Sequence, residues 1–288
     1  HVMAAPEAGQ LVAGGGADRR FGAELAGFWR RHYVPSNAAL IVSGAITRDE
    51  LQALAAARFG AWPRGAATPA DTGQPAGGKA RLVVVDKPGA PQTALRVTLL
   101  ATSRKTPDYP ALQVMNAALG GLFSSRINLN LREDKGYSYG VFSGFRYSRT
   151  PGPFTIAGSV RTDVTGASVA EIFKEVRGVR EQPLPAAELA GARDSQVYSL
   201  PGQFDTNSGI GASLAETYVF DLPLDYWRSL PDQLRRVTAA QVQGVADRYL
   251  RLDQMKVIAV GDRNKILPQL QPLGLGEPAL RDADGQLP

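Results

Sequence analysis

The residues of this chain best placed to do chemistry lie around a single glycine. In the run Leu131-Arg132-Glu133-Asp134-Lys135-Gly136-Tyr137-Ser138-Tyr139-Gly140, a helix is expected to end at or just after Arg132. Gly136 allows a sharp turn, and a strand begins at Tyr137. Arg132 and Tyr139 then converge where the helix meets the sheet. Neither is a base near neutral pH. A guanidinium of pKa above ~12 and a phenol of pKa near ~10 are hydrogen-bond donors, suited to holding a peptide carbonyl or a developing oxyanion rather than to moving protons. The same residues have plain structural uses. An arginine in a last helical turn complements the helix dipole, and Tyr137, Tyr139, Phe145 and Tyr147 share one strand face as core or interface aromatics do. Spacing alone leaves both readings open.

Other chemistries are poorly provided for. The chain has two histidines, His1 and His32, and no cysteine. That excludes disulfides, thiolate metal sites and a cysteine nucleophile. With only His32 inside the fold, no two-histidine metal site can be assembled, and no H-x-x-E-H or H-E-x-x-H stretch exists. The expectation is therefore no metal in this chain. No G-x-S-x-G elbow is present, and His32, at a helix end beside Tyr33 and Pro35, reads as a partly buried packing residue. Gly14-Gly15-Gly16 lacks a following G-K-S/T and reads as a flexible entry loop, not a phosphate loop.

The elements that must position Arg132 and Tyr139 can be read from periodicity. In the first part, a helix is expected over 18–33, with Phe21, Leu25, Phe28, Trp29 and His32 at helical spacing, stopped by Pro35. A buried strand follows over 38–44, then a helix capped by Thr47 and ending near Phe59-Gly60. From Pro63 to Ala80 the composition shifts to Pro, Gly, Ala and Thr, which predicts an interdomain linker. Strands are expected over 81–86 and 93–100, and a helix over 109–119 broken by Gly120-Gly121. A second helix, capped by Ser124 or Ser125, should reach Arg132. Strands over 137–147 and 154–161 come next, then helices over 166–180, 186–199, 205–220 and 238–249, and a last strand over 255–261. This order predicts α+β layers and not a doubly wound sheet.

A helix, strand, helix unit around His32 to Gly44 recurs around Arg248 to Gly261 followed by Leu267 to Leu270, which suggests two related domains of which the first lacks its opening part. On this reading, 1–62 is the second half of a first domain, 63–80 the linker and 81–288 a complete second domain, the whole being part of something longer. With 288 residues, 44% hydrophobic and 20% charged, ordinary cores are expected. No apolar run is long enough to span a membrane, and His1 to Pro6 lacks the regions of a signal peptide. The net charge of +5 is carried by arginines scattered among acids, in pairs such as Arg30-Arg31 and Arg235-Arg236, which predicts no nucleic-acid partner.

At Gly120-Gly121-Leu122-Phe123-Ser124-Ser125-Arg126, Leu131-Arg132-Glu133 and Gly136-Tyr137-Ser138-Tyr139, the sequence resembles the second domain of the M16 zinc metallopeptidases, the insulinase, pitrilysin and mitochondrial processing peptidase group. Arg31 to Asn37 with Leu40 to Gly44, and Asp86 to Gln92, resemble that family too. His1 to Pro6 stands where a H-P-Y-G-x-P stretch is expected, with only its His and last Pro kept. The resemblance implies two similar M16-type α+β domains, the first incomplete here, forming half of a hollow clamshell around an extended peptide. It implies that zinc and the catalytic carboxylate lie in a partner half, on the same polypeptide or a separate subunit, and that this chain alone is inactive. Arg132 and Tyr139 are similar to the arginine and tyrosine that the zinc-free half extends to the substrate carbonyl. Tyr137 stands where a leucine is more usual. Gly120-Gly121 resembles a short glycine-rich loop of non-catalytic halves. The family's other use of the fold, a structural or assembly subunit without proteolysis, is the alternative. Bacterial relatives with a removed signal peptide suggest a periplasmic or secreted location, with the cytoplasm as the alternative.

Overall fold

The computed structural model describes residues 16–66 and 80–286, with side chains from residue 21 onward. The chain divides into two compact units, His1–Gly73 and Gln74–Pro288. The His1 to Pro6 stretch and most of the expected linker lie outside the described residues.

In the first unit, helix α1 (Gly16–His32) and helix α2 (Arg48–Phe59) flank a short 3-10 turn, Pro35–Asn37. Thr47 caps α2 as its sequence predicts. Its hydroxyl accepts the Glu50 N–H, and the Glu50 carboxylate reaches back to the Thr47 N–H at 2.8 Å. These bonds hold the Glu50 carboxyl below its usual range. The strand expected over 38–44 does not form. The segment pairs with nothing among the described residues, and a ladder needs a neighbour to accept its N–H groups. Its apolar residues are correspondingly uncovered, Leu40 at 51% and Phe21, Phe28 and Trp29 of α1 at 43% or more. His32 is half-buried, with its ring 4.3 Å from that of Phe28.

The second unit is built on a mixed six-stranded sheet. Its strands are β1 (Leu82–Asp86), β2 (Gln92–Thr102), β3 (Ser138–Phe145), β4 (Gly152–Arg161), β5 (Lys256–Gly261) and β6 (Ala279–Arg281), ordered β3-β4-β2-β5-β1-β6. β1 runs parallel to β5 and β6, and the other neighbours are antiparallel. Along β2, Thr93, Leu95, Val97 and Leu99 are buried, while Ala94, Arg96 and Leu100 are exposed. That alternation belongs to a sheet covered on one face only. The cover comes from helices α3 (Tyr109–Asn116), α5 (Thr165–Glu181), α6 (Ala186–Ser199), α8 (Tyr226–Arg235), α9 (Ala239–Tyr249) and α10 (Arg263–Leu270), with α7 (Asn207–Val219) between α6 and α8 in the chain. Their inner rows, such as Val169, Ile172, Val176 and Val179 of α5, join the strand residues in one core. The architecture is α+β.

Two elements escaped the sequence reading. Helix α8 buries Tyr226, Leu230 and Leu234 at four-residue spacing, but it carries Pro231, which reads as a breaker. β6 is a three-residue edge that pairs Val83 with Ala279, too short to show a pattern.

Candidate functional site

A short helix α4 (Arg126–Asn128) continues as wide π-type turns over Leu129–Asp134. Ser125 stands at its N-cap position, yet its hydroxyl makes no capping bond. The helix stops at a left-handed glycine cap. Gly136 adopts φ +61°, its N–H donates to the Arg132 carbonyl at 3.2 Å, and the Tyr137 N–H donates to the Leu131 carbonyl at 2.8 Å. The chain thereby reverses directly into β3. Tyr137 takes the position after the glycine and packs against the core that contains Leu131.

The pairing of β3 with β4 then slips between Ser138 and Val141. Ser138 faces Val160 and Val141 faces Gly158, so Tyr139 and Gly140 together oppose Ser159. This is a β-bulge, a device that re-aims a side chain. The Ser138 hydroxyl ties it down, donating to the Ser159 carbonyl at 2.6 Å and accepting from the Gly140 N–H at 3.0 Å. Tyr139 ends 88% exposed, on the uncovered side of the sheet with Ser159. From the covered side, the Asn128 amide oxygen accepts the buried Val141 N–H at 3.0 Å and fixes helix to strand.

Arg132 lies over the Phe123 ring, 4.1 Å from its centroid. Its Nη1 is 3.4 Å from Glu133 Oε1, within ion-pair range, but it makes no hydrogen bond with any described residue. Arg132 and Tyr139 therefore flank one turn, each with an unused donor, and they are not bonded to one another. Phe123 also lines an open cleft of about 650 Å³ with Ala118, Leu122, Ala187 and Ala192.

Gly120 and Gly121 do not break the preceding helix. α3 runs on through wide turns, Ala117–Gly121, because the glycines let that segment lie directly on β3. A Cβ on Gly120 would sit 2.5 Å from the Ser143 hydroxyl, and one on Gly121 2.6 Å from the Asn116 amide nitrogen. Ser143 and Asn116 are themselves joined at 2.7 Å.

Sequence reading also missed a polar node in the core. Arg104 is 2% exposed, its Nε 2.6 Å from Glu216 Oε1, its Nη2 donating to the Tyr226 hydroxyl at 2.9 Å, and its guanidinium 3.6 Å over Tyr109. Burial pushes the phenols of Tyr109, Tyr147 and Tyr226 well above their usual range, so they stay neutral.

The described residues contain no group of three or more histidines, cysteines or carboxylates arranged to hold a metal ion, so they do not fit a zinc site. None of the described helices is long and apolar enough to cross a membrane.

A family model, the peptidase M16 inactive domain, matches residues 22–196. The chain belongs to the M16 inactive-domain family. An uncharacterized zinc protease of Mycobacterium leprae is 29% identical over 239 residues, covering 79% of this chain and 52% of that protein. The chain thus spans about half the length of the curated relatives it matches. A solved M16 inactive domain from Pseudomonas fluorescens is similar with a TM-score of 0.69 at 29% identity, over 76% of this chain and 52% of that one. A protease from Helicobacter pylori shares the fold alone, with a TM-score of 0.74 at 18% identity, over 83% and 58% of the two chains.

Proposed function

We propose that this M16 inactive domain binds and orients an extended peptide for hydrolysis by a zinc-bearing M16 half, carried on the same polypeptide or on a separate subunit. The observation that carries the reading is the pair of unused donors around Gly136. Arg132 is held over Phe123 with 34% of its side chain exposed, and Tyr139 is turned out by a bulge. A guanidinium and a phenol placed in this way can donate to a carbonyl oxygen as it gains negative charge. A scaffold subunit of the same fold would have no use for either donor.

In this reading the chain contributes no metal ligand and no proton-transfer residue. Residues 1–62 are the closing part of a first M16-type domain, 63–80 the linker and 81–288 the second domain. The uncovered apolar residues of the first unit, with the unpaired segment 38–44, support that assignment, since they present the surface that an opening half-domain would cover. A periplasmic or secreted setting suits such a peptidase.

The test is reconstitution with the zinc-bearing half. Peptide cleavage is expected from the assembled protein and from neither part alone, with zinc remaining bound to the other half. One tightly held zinc per molecule of this chain, or cleavage by this chain alone, would contradict the proposal.

A further inference from the structure

The uncovered face of the sheet carries a charge pattern that the core does not require. Outward positions on β2, β4 and β5 fall in register. Ala94 lies between Ser159 and Val260, Arg96 between Ala157 and Ile258, and Thr98 between Thr155 and Lys256. Arg96 is exposed at the centre of these rows, and it has no ion pair or hydrogen bond with any described residue. Its neighbours are short or aliphatic, so nothing beside it supplies a counter-charge. The concavity they line, with Ala94, Ser159 and Val260, measures about 340 Å³. Across all six strands the only carboxylate is Asp86. Asp86 follows buried Val84 on the covered side of β1 and is occupied by Arg263, accepting its N–H at 3.1 Å. The uncovered face, by contrast, bears Arg96, Lys256 and Arg161, the last paired to Asp163 at 2.7 Å.

Tyr139 stands on this same face. It opposes Ser159, which pairs with Ala94, two residues along β2 from Arg96. At ~4.8 Å between strands and ~3.4 Å per residue, the two positions are roughly 12 Å apart, the length of about three to four residues of extended peptide.

We propose that Arg96 gives this wall a preference for peptides with an acidic side chain about three to four residues from the bond to be cleaved. This rests on the peptide-positioning reading above and names the substrate class it would favour. An arginine stem can lie over the flanking Ala157 and Ile258 while the guanidinium forks a carboxylate from above.

The test uses the 288-residue chain and labelled peptides identical except for Glu, Gln or Lys at one position, followed by cleavage of the same peptides by the assembled enzyme. The Glu peptide is expected to bind about fivefold more tightly than the Gln peptide at low salt. The difference should fade by about 0.5 M salt as exposed charges are screened. Arg96→Gln removes the preference, and Arg96→Glu turns it toward the Lys peptide, both with an unchanged melting temperature. In the assembled enzyme the preference appears in KM and not in kcat, whereas Tyr139→Phe lowers kcat for every peptide alike. Equal behaviour of the Glu and Gln peptides, whether both bind or neither does, overturns the proposal, as does a Glu preference that survives Arg96→Glu. A preference that follows Arg96 without any cleavage by the assembled enzyme would instead overturn the hydrolysis reading and leave only the binding preference of this wall for acidic peptides.

Discussion

Arg104 and Arg132 both lay a guanidinium over an aromatic ring, at 3.6 Å from Tyr109 and 4.1 Å from Phe123, yet the two regions use the same contact differently. Around Arg104 every neighbour answers the charge. Glu216 pairs with it, Tyr226 accepts from it, and helices close over it until 2% of the side chain is exposed. Around Arg132 the ring fixes the group and 34% of the side chain stays exposed, while Nη1 is shut from water beside Glu133 without a hydrogen bond to any described residue. A buried cation that lost its partners would be heavily destabilising, so Arg104 must be satisfied within the fold. A half-exposed one can keep fewer partners because water reaches the rest of the side chain. On the proposed reading, Arg104 serves the architecture and Arg132 serves recognition.

That contrast is most easily broken at Arg104. Arg104→Met keeps the volume but leaves Glu216 and the Tyr226 hydroxyl without their partner, and should cost about 3 kcal/mol of stability. Thermal unfolding should show it as a fall of roughly 10 °C. A change of under about 1 kcal/mol would mean that the node is not structural. A smaller effect, about 1–2 kcal/mol from overpacking, is expected for Gly120→Ala, because the added methyl meets the Ser143 hydroxyl. Chemical denaturation should read it as a lower midpoint with an unchanged slope. Smallest of all, Arg132→Ala should move stability by no more than about 0.5 kcal/mol, since an exposed arginine with one loose ion pair contributes little. A loss as large as that at Arg104 would erase the distinction between the two sites.

Much of this was legible in the sequence because it follows from local rules. The Thr47 cap, the turn at Gly136 and the strand over 93–100 each depend on residues a few positions apart. What escaped depends on distant partners. Segment 38–44 has the composition of a strand, but pairing is decided by a neighbour, and none stands beside it among the described residues. The bulge at Tyr139-Gly140 arises from the register between β3 and β4, which no single strand reveals. Gly120 and Gly121 looked like a helix breaker because the close approach of Gly120 to Ser143 is a tertiary fact. Arg104 stood unremarked among polar residues because Glu216 and Tyr226 lie more than a hundred positions away. Arg132 and Tyr139 stood out because their residue types and their separation of seven positions are visible in the chain itself.

The central claim is that the Tyr139 hydroxyl serves the reacting peptide and not the fold. Tyr139→Phe removes one oxygen from a side chain that is 88% exposed and has no hydrogen-bond partner among the described residues, so the melting temperature should not change. The decisive measurement is kcat/KM for peptide cleavage by the enzyme assembled from this chain and its zinc-bearing half, with Tyr137→Phe as the control. The account predicts a fall of roughly 10²- to 10³-fold for Tyr139→Phe, equivalent to losing one oxyanion donor, and near-native activity for Tyr137→Phe. Near-native activity for Tyr139→Phe in a correctly assembled enzyme would contradict it.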